Sequence, residues 1–103
     1  MNDEKKLLGM LGLASRARKL ITGADLVCDA IRAGKYVGIV IVASDVSDNT
    51  KKRLENCCKH YGVECRFIKT DRDGLSNAVG KSNYVSAVAA TDKNFASALL
   101  KLA

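Results

Sequence analysis

Apolar positions recur along this chain with two periods. Leu7, Met10, Leu11 and Ala14 fall at i, i+3, i+4 and i+7, which predicts an amphipathic helix over residues 3–14. Leu20-Ile21-Thr22 is long enough only for a short strand or a turn entry. Thr22-Gly23-Ala24-Asp25 has the form of a capping box, with Asp25 as its acidic third residue. Leu26, Val27, Ala30 and Ile31 give the second helix its apolar face, and Gly34 stops it. VGIVIVA, Val37 to Ala43, is almost wholly apolar and β-branched, the pattern of a strand buried on both faces.

The second half repeats the alternation. Ser47 is placed to cap a third helix that turns Leu54, Cys57, Cys58 and Tyr61 inward and Lys51, Lys52, Arg53 and Lys59 toward water, and Gly62 ends it. Residues 63–69 read as a strand near a sheet edge. Asp73 is placed to cap a short helix reaching Val79. YVSAVAA, Tyr84 to Ala90, reads as another buried strand. Thr91 caps a last helix with Phe95, Ala98, Leu99 and Leu102 on one face. Helices that alternate with strands predict an α/β fold. The expected form is a three-layer α/β/α sandwich around a small mixed sheet of about four strands.

Composition narrows the class. The chain has 103 residues and 48% apolar residues, which suits one compact domain spanning residues 1–103. There is no proline, linker or low-complexity tract. The net charge of +6 and pI near 9.3 favour a polyanionic partner, nucleic acid before a membrane surface. No apolar run approaches the ~18 residues of a membrane span. MNDEKKLLGMLGLA superficially resembles a leader, but Asp3 and Glu4 spoil its positive flank and SRARK stands where a cleavage site belongs. A mature cytoplasmic N-terminus is the expectation. Cys28, Cys57, Cys58, Cys65 and His60 match no common zinc spacing, so reduced thiols and no metal are expected.

Candidate catalytic chemistry is thin. DGLSNAVGKS, Asp73 to Ser82, is one residue too long for the phosphate-binding loop G-x-x-x-x-G-K-[ST]. Its polarity is also reversed. A helix precedes Gly80 and a strand follows, so no helix N-terminus faces a phosphate. Gly9-x-x-Gly12 lies inside a helical pattern and is no dinucleotide fingerprint. His60 is expected on the surface. Asp45 ends a buried strand, where α/β enzymes place acids, but Ser47 and Asn49 nearby also make it a turn-organising carboxylate.

The basic run Arg16, Arg18 and Lys19 precedes Gly23, where a helix begins. Cations beside a helix N-terminus suit a phosphate backbone, and a glycine admits close approach.

LLGMLGLASRARKLITGADLVCDAIRAGK, then VGIVIVASDVSDNTKKRLENCCKHYGV, then LSNAVGKSNYVSAVAATDKNFASAL, together resemble the small bacterial members of the L7Ae/L30e superfamily of ribosomal proteins. The resemblance covers nearly the whole chain. It implies the same three-layer fold and non-catalytic binding of structured RNA, with rRNA or a kink-turn the expected partner. A kink-turn is a helix bent by an internal loop with tandem G·A pairs. The resemblance maps RNA contacts onto Lys19, Gly23, Ala24, Asp25 and Leu26, onto Ser44 and Asp45, and onto Leu75, Ser76 and the Lys81–Val85 region. Leu75 would pack on an extruded base.

The chain departs from the family where strong kink-turn binders carry Gly-x-Asn-Glu or Gly-x-Lys-Gln. Here the residues are Gly23-Ala24-Asp25-Leu26, and Asp29 stands where a lysine is expected. Leu-Gly becomes Leu75-Ser76, and Arg-Ala-Gly-Lys becomes Arg16-Ala17-Arg18-Lys19. The departures favour generic structured-RNA binding over strict kink-turn specificity. They also leave room for an adaptor binding ribosomal, transcription or translation proteins. A monomer without cofactor is expected.

Overall fold

The computed structural model describes residues 3–103. The expectation about the chain's first residues bears in part on Met1 and Asn2, which lie outside the described residues. The elements are α1 (Asp3–Arg16), β1 (Leu20–Thr22), α2 (Ala24–Arg32), β2 (Ile39–Val42), α3 (Asp48–Tyr61), β3 (Glu64–Phe67), α4 (Arg72–Ala78), β4 (Ala87–Ala90) and α5 (Lys93–Leu102).

The strands form one mixed sheet in the order β1-β4-β2-β3. β4 runs antiparallel to both β1 and β2, and β2 runs parallel to β3. Both central strands are buried throughout, as the unbroken apolar run of β2 requires. Their side chains divide by strict alternation. Ile39, Ile41, Val88 and Ala90 meet Leu7, Leu11, Leu75 and Leu99 of α1, α4 and α5. Val40, Val42, Ala87 and Ala89 meet Val27, Cys28, Ile31, Leu54 and Cys57 of α2 and α3. The result is the expected three-layer α/β/α sandwich with two cores. At the β3 edge, Arg66 and Glu64 pair at 2.6 Å, and such charges discourage pairing with another strand.

Helix starts differ from the sequence expectation at three places. Thr22 is held in β1 opposite Val88, so Gly23 takes the cap position of α2 without any side-chain cap bond. Asp71, not Asp73, caps α4 by accepting from the Gly74 N–H at 2.8 Å. Asp92, not Thr91, caps α5 by accepting from Asn94 and Phe95. In the last two cases the working cap is an aspartate with extended backbone whose carboxylate meets the first free N–H groups. Ser47 caps α3 as expected, accepting from Thr50 N–H.

Several inward assignments also change. Leu26 is 60% exposed, and α2 instead buries Val27, Cys28, Ala30 and Ile31. Tyr61 is exposed in the last turn of α3, its ring edge-on to His60. Tyr84 lies outside β4, which starts only at Ala87. On α5, Ala96 joins Leu99 as a buried residue while Phe95, Ala98 and Leu102 are half-buried. Gly80, with φ of 72°, ends the α4 turn in the left-handed region, which places the near-miss phosphate loop at a helix C-terminus.

The four cysteines belong to the second core. Cys57 Sγ donates toward Cys28 O at 4.0 Å. The hydrogen bond between Cys58 and Cys65, together with burial, pushes the Cys58 thiol well up. The same bond lowers the Cys65 thiol despite burial. No cluster of three or more His, Cys, Asp or Glu side chains suited to a metal occurs among the described residues. No helix among them is long and apolar enough to cross a membrane.

α1 ends in a left-handed turn at Arg18, whose φ is 60°. Its N–H donates to Ser15 O and that of Lys19 to Ala14 O, the bonding of a glycine-type helix stop. A β-carbon in this conformation costs roughly 1–2 kcal/mol. Glycine there would add unfolded-chain entropy of roughly 0.5–1 kcal/mol. Arg18→Gly is therefore expected to raise stability slightly, by about 0–1.5 kcal/mol on these terms. Denaturant midpoints of the two chains check this, and a lower midpoint for the variant contradicts it.

Candidate nucleic-acid interface

Strand directions bring four connections to one end of the sheet. β1, β2 and β3 all run toward this end and β4 starts from it. The β1–α2 turn is tied in by Gly23 N–H to Ala87 O at 2.8 Å. The β2–α3 loop is held by Ala43 N–H to Ser86 O and by Ser44 N–H to Thr70 O, each at 2.9 Å. The α4–β4 loop folds back on its own helix, where the Ser76 hydroxyl contacts the carbonyls of Lys81 and Asn83. Glu4 of α1 braces the β3–α4 loop by accepting from Lys69 N–H at 2.9 Å and from the Thr70 hydroxyl. Burial opposes its charge, but these bonds outweigh burial and hold the carboxyl below its usual range.

Gly23 is the pivot of this rim. Its φ of 102° is a backbone state that side chains rarely adopt, and the space its missing β-carbon would take is open. The amide ends of α2 therefore stand beside a groove of about 260 Å3. Thr22 and Gly23 form one wall, and Lys81, Ser82, Asn83, Tyr84 and Val85 form the other. Tyr84 is 68% exposed, the most exposed large hydrophobic side chain among the described residues. The Arg72 guanidinium sits over its ring at 5.4 Å, and Lys51 over the Phe67 ring at 5.1 Å. Each is an aromatic surface already backed by a cation.

Asp45 does not organise Ser47 and Asn49, as its sequence position suggests. Its carboxylate accepts from Arg72 N–H at 2.8 Å and pairs with Arg72 Nε at 3.3 Å. Burial opposes its charge, yet these contacts outweigh burial and keep the carboxyl below the usual range. Asp45 therefore steadies the cation that backs Tyr84. Ser44 stands exposed beside it.

The acidic departures on α2 are also partnered. Asp25 pairs with Arg53 of α3 at 2.6 Å, and Asp29 faces Arg32 at 3.7 Å. Much of the negative charge expected to repel phosphates is thereby offset by neighbouring guanidinium groups. Leu26 and Ala24 lie on the outer side of the same helix, Leu26 projecting and Ala24 half-buried.

Two of the sequence expectations for the site fail. Leu75 has no exposed surface and Ser76 only 3%. α4 spans seven residues, and its apolar positions are consumed by the first core, so Leu75 cannot pack on a base. Arg16, Arg18 and Lys19 do not flank the α2 N-terminus either. Lys19 O accepts from Thr91 N–H, which puts this run at the opposite end of β1 from Gly23, roughly 13 Å away at strand rise. Ser15 Oγ donating to Val79 O at 2.8 Å nevertheless joins the α1 C-terminus to the α4–β4 loop. Gly23, Ala24, Asp25, Leu26, Ser44, Asp45 and Lys81 do share the rim. Arg72 and Arg53 had no local sequence signal, whereas Tyr84, an aromatic within the polar stretch KSNY, did.

This loop-rimmed end belongs to a known architecture. Residues 5–100 match the model of the Ribosomal protein L7Ae/L30e/S12e/Gadd45 family. The chain belongs to this family. It is 39% identical over 93 residues to a Bacillus subtilis protein named RNA-binding protein YlxQ, covering 90% of each chain. A protein of the same name from Enterococcus faecium is 36% identical over 94 residues, covering 91% of this chain and 87% of its own. A Bacillus halodurans protein of unknown function superposes with a TM-score of 0.87 at 36% identity, over 94% of this chain and 95% of its own. A 15.5 kD RNA-binding protein from Giardia lamblia superposes with a TM-score of 0.78 over 97% of this chain and 83% of its own. At 19% identity, that second likeness concerns the fold alone.

Proposed function

We propose that this L7Ae-family chain binds structured RNA without catalysis, as a cytoplasmic, ribosome-associated monomer, using the loop rim around Gly23. The observation that carries the reading is Tyr84, projecting from the rim with Arg72 behind it and the α2 N-terminus across the groove. An exposed aromatic stacks on an unstacked base, and helix N–H groups with Lys81 donate to the phosphate beside it. Bent RNAs with extruded bases, kink-turns or rRNA elements, present both features, and a plain duplex presents neither.

The test is a gel-shift panel of a kink-turn, a disrupted kink-turn and a duplex across a salt series. Affinity should fall steeply with salt because bound cations displace counterions. Changing Lys81 to alanine should weaken every RNA and flatten the salt slope by about 1. Tyr84→Ala should weaken only RNAs with unstacked bases, by roughly 1–3 kcal/mol per lost stack. Binding indifferent to salt, to Lys81→Ala and to Tyr84→Ala would overturn the reading.

A second reading, a protein-binding adaptor, is favoured by one observation. Leu26 is exposed beside Asp29 along a groove that also includes Ile21, Ala30, Ala33 and Lys35. Retention of a ribosomal, transcription or translation protein after nuclease treatment, lost with Leu26→Glu, would support it.

A further inference from the structure

α2 and α3 pack side by side through Val27, Cys28, Ile31, Leu54 and Cys57. On the solvent side their seam opens into a groove of about 420 Å3, larger than the groove beside Gly23. Arg32 comes from the last turn of α2, and Arg53, Asn56, Cys57, His60 and Tyr61 come from α3. On α3 the positions 53, 56, 57 and 60 follow i, i+3, i+4 and i+7, so they share one face. The periodicity that buries Cys57 therefore carries the polar lining with it.

The lining is that of a nucleotide rather than of an acidic peptide. Two guanidinium groups suit a phosphate, and the Asn56 amide has both a donor and an acceptor for a base edge. The His60 and Tyr61 rings, edge to face with centroids 4.8 Å apart, offer a wall for stacking. The floor is the buried Cys57. Both arginines are held from α2, Arg53 by Asp25 through one nitrogen and Arg32 by Asp29 through one nitrogen. A guanidinium carries five N–H donors, so each pair orients its arginine and still leaves donors for a phosphate. The volume lies within the roughly 300–1,000 Å3 of small-ligand sites.

One side chain of the groove reaches toward the rim. Arg53 reaches Asp25 in the first turn of α2, next to Gly23, while Arg32 stands at the other end of that helix. At helical rise the nine residues of α2 span roughly 13 Å. A strand leaving an RNA docked at Gly23 can run along α2 and place its next unpaired nucleotide in this groove.

The geometry points to a second RNA site here, which takes an unpaired nucleotide of a single-stranded segment. It rests on the reading of the rim as the RNA-docking end and extends that surface onto α2 and α3. Arg53, on the rim side, and Arg32, at the far end of α2, hold successive phosphates, and His60 and Tyr61 stack the base.

The test titrates the full chain with an unstructured octauridylate RNA and follows backbone amide shifts by NMR. Shifts are expected at Arg32, Asn56, His60 and Tyr61, with a Kd of about 10⁻⁴–10⁻⁵ M that weakens with salt. The exposed-residue pair Asn56→Ala with His60→Ala, checked for folding by circular dichroism, should weaken the octamer tenfold or more. The same pair should leave a blunt, tail-free kink-turn bound as by the parent chain. Shifts confined to the Gly23–Tyr84 rim, or an octamer affinity unchanged by the pair, would overturn the proposal. Tyr84→Ala on the blunt RNA tests the rim separately, so failure of one site is distinguishable from failure of the other.

Discussion

Leu75→Ala should cost the folded state about 2–5 kcal/mol, the range for truncating a fully buried leucine. Leu75 has no exposed surface and packs in the core formed by Leu7, Leu11, Ile39 and Leu99. Truncation leaves a cavity that a seven-residue helix pinned at both ends cannot close. Asp71 holds its start through Gly74, and Ser76 holds its exit through the carbonyls of Lys81 and Asn83. The cost should appear as a lower denaturant midpoint at an unchanged slope, because no additional surface is exposed on unfolding. RNA affinity measured well below the midpoint should not move. An unchanged midpoint with weakened RNA binding would instead return Leu75 to the surface role that family position suggests.

Leu75 also marks where the sequence stops being informative. In a helix this short, an apolar residue reads the same whether it feeds a core or faces a ligand. The difference lies in which strand the helix covers, and that is a property of the β1-β4-β2-β3 order. The three-layer fold was legible because its cues are local. VGIVIVA has the length and β-branching of a doubly buried strand, and the stripes on α1 and α3 have a helical period. Caps were only half legible. In Thr70-Asp71-Arg72-Asp73 and Thr91-Asp92 several residues have suitable side chains, and the one whose backbone is extended directly before the first helical turn is the one that works. The rim shows the same limit. Tyr84 meets Arg72, Arg72 meets Asp45, and Asp25 meets Arg53 through contacts that chain spacing does not encode. The basic run at Arg16 fails conversely. Proximity in sequence to Gly23 is undone by one extended strand, because three β residues separate their ends farther than a helical turn would.

Asp25→Asn combined with Leu26→Glu should raise kink-turn affinity tenfold or more and leave plain duplex binding unchanged. The pair restores the Gly-x-Asn-Glu pattern of strong kink-turn binders directly after Gly23. Each polar contact regained with a base edge is worth on the order of 1–3 kcal/mol when its partner would otherwise be left unpaired. Against this stands the loss of the Asp25–Arg53 ion pair, which is exposed and so worth only about 0–1 kcal/mol. Leu26 is 60% exposed, so glutamate there disturbs no core packing, and α2 keeps its buried face of Val27, Cys28, Ala30 and Ile31. Asp29 stays paired with Arg32 and is not part of the change. The duplex arm separates base reading from charge, since the substitutions exchange one carboxylate position for another and leave the net charge as it was. A gel shift at fixed salt on both RNAs measures the outcome. If the kink-turn and the duplex respond alike, the first turn of α2 does not read bases, and the rim grips RNA through Tyr84, Lys81 and the backbone alone.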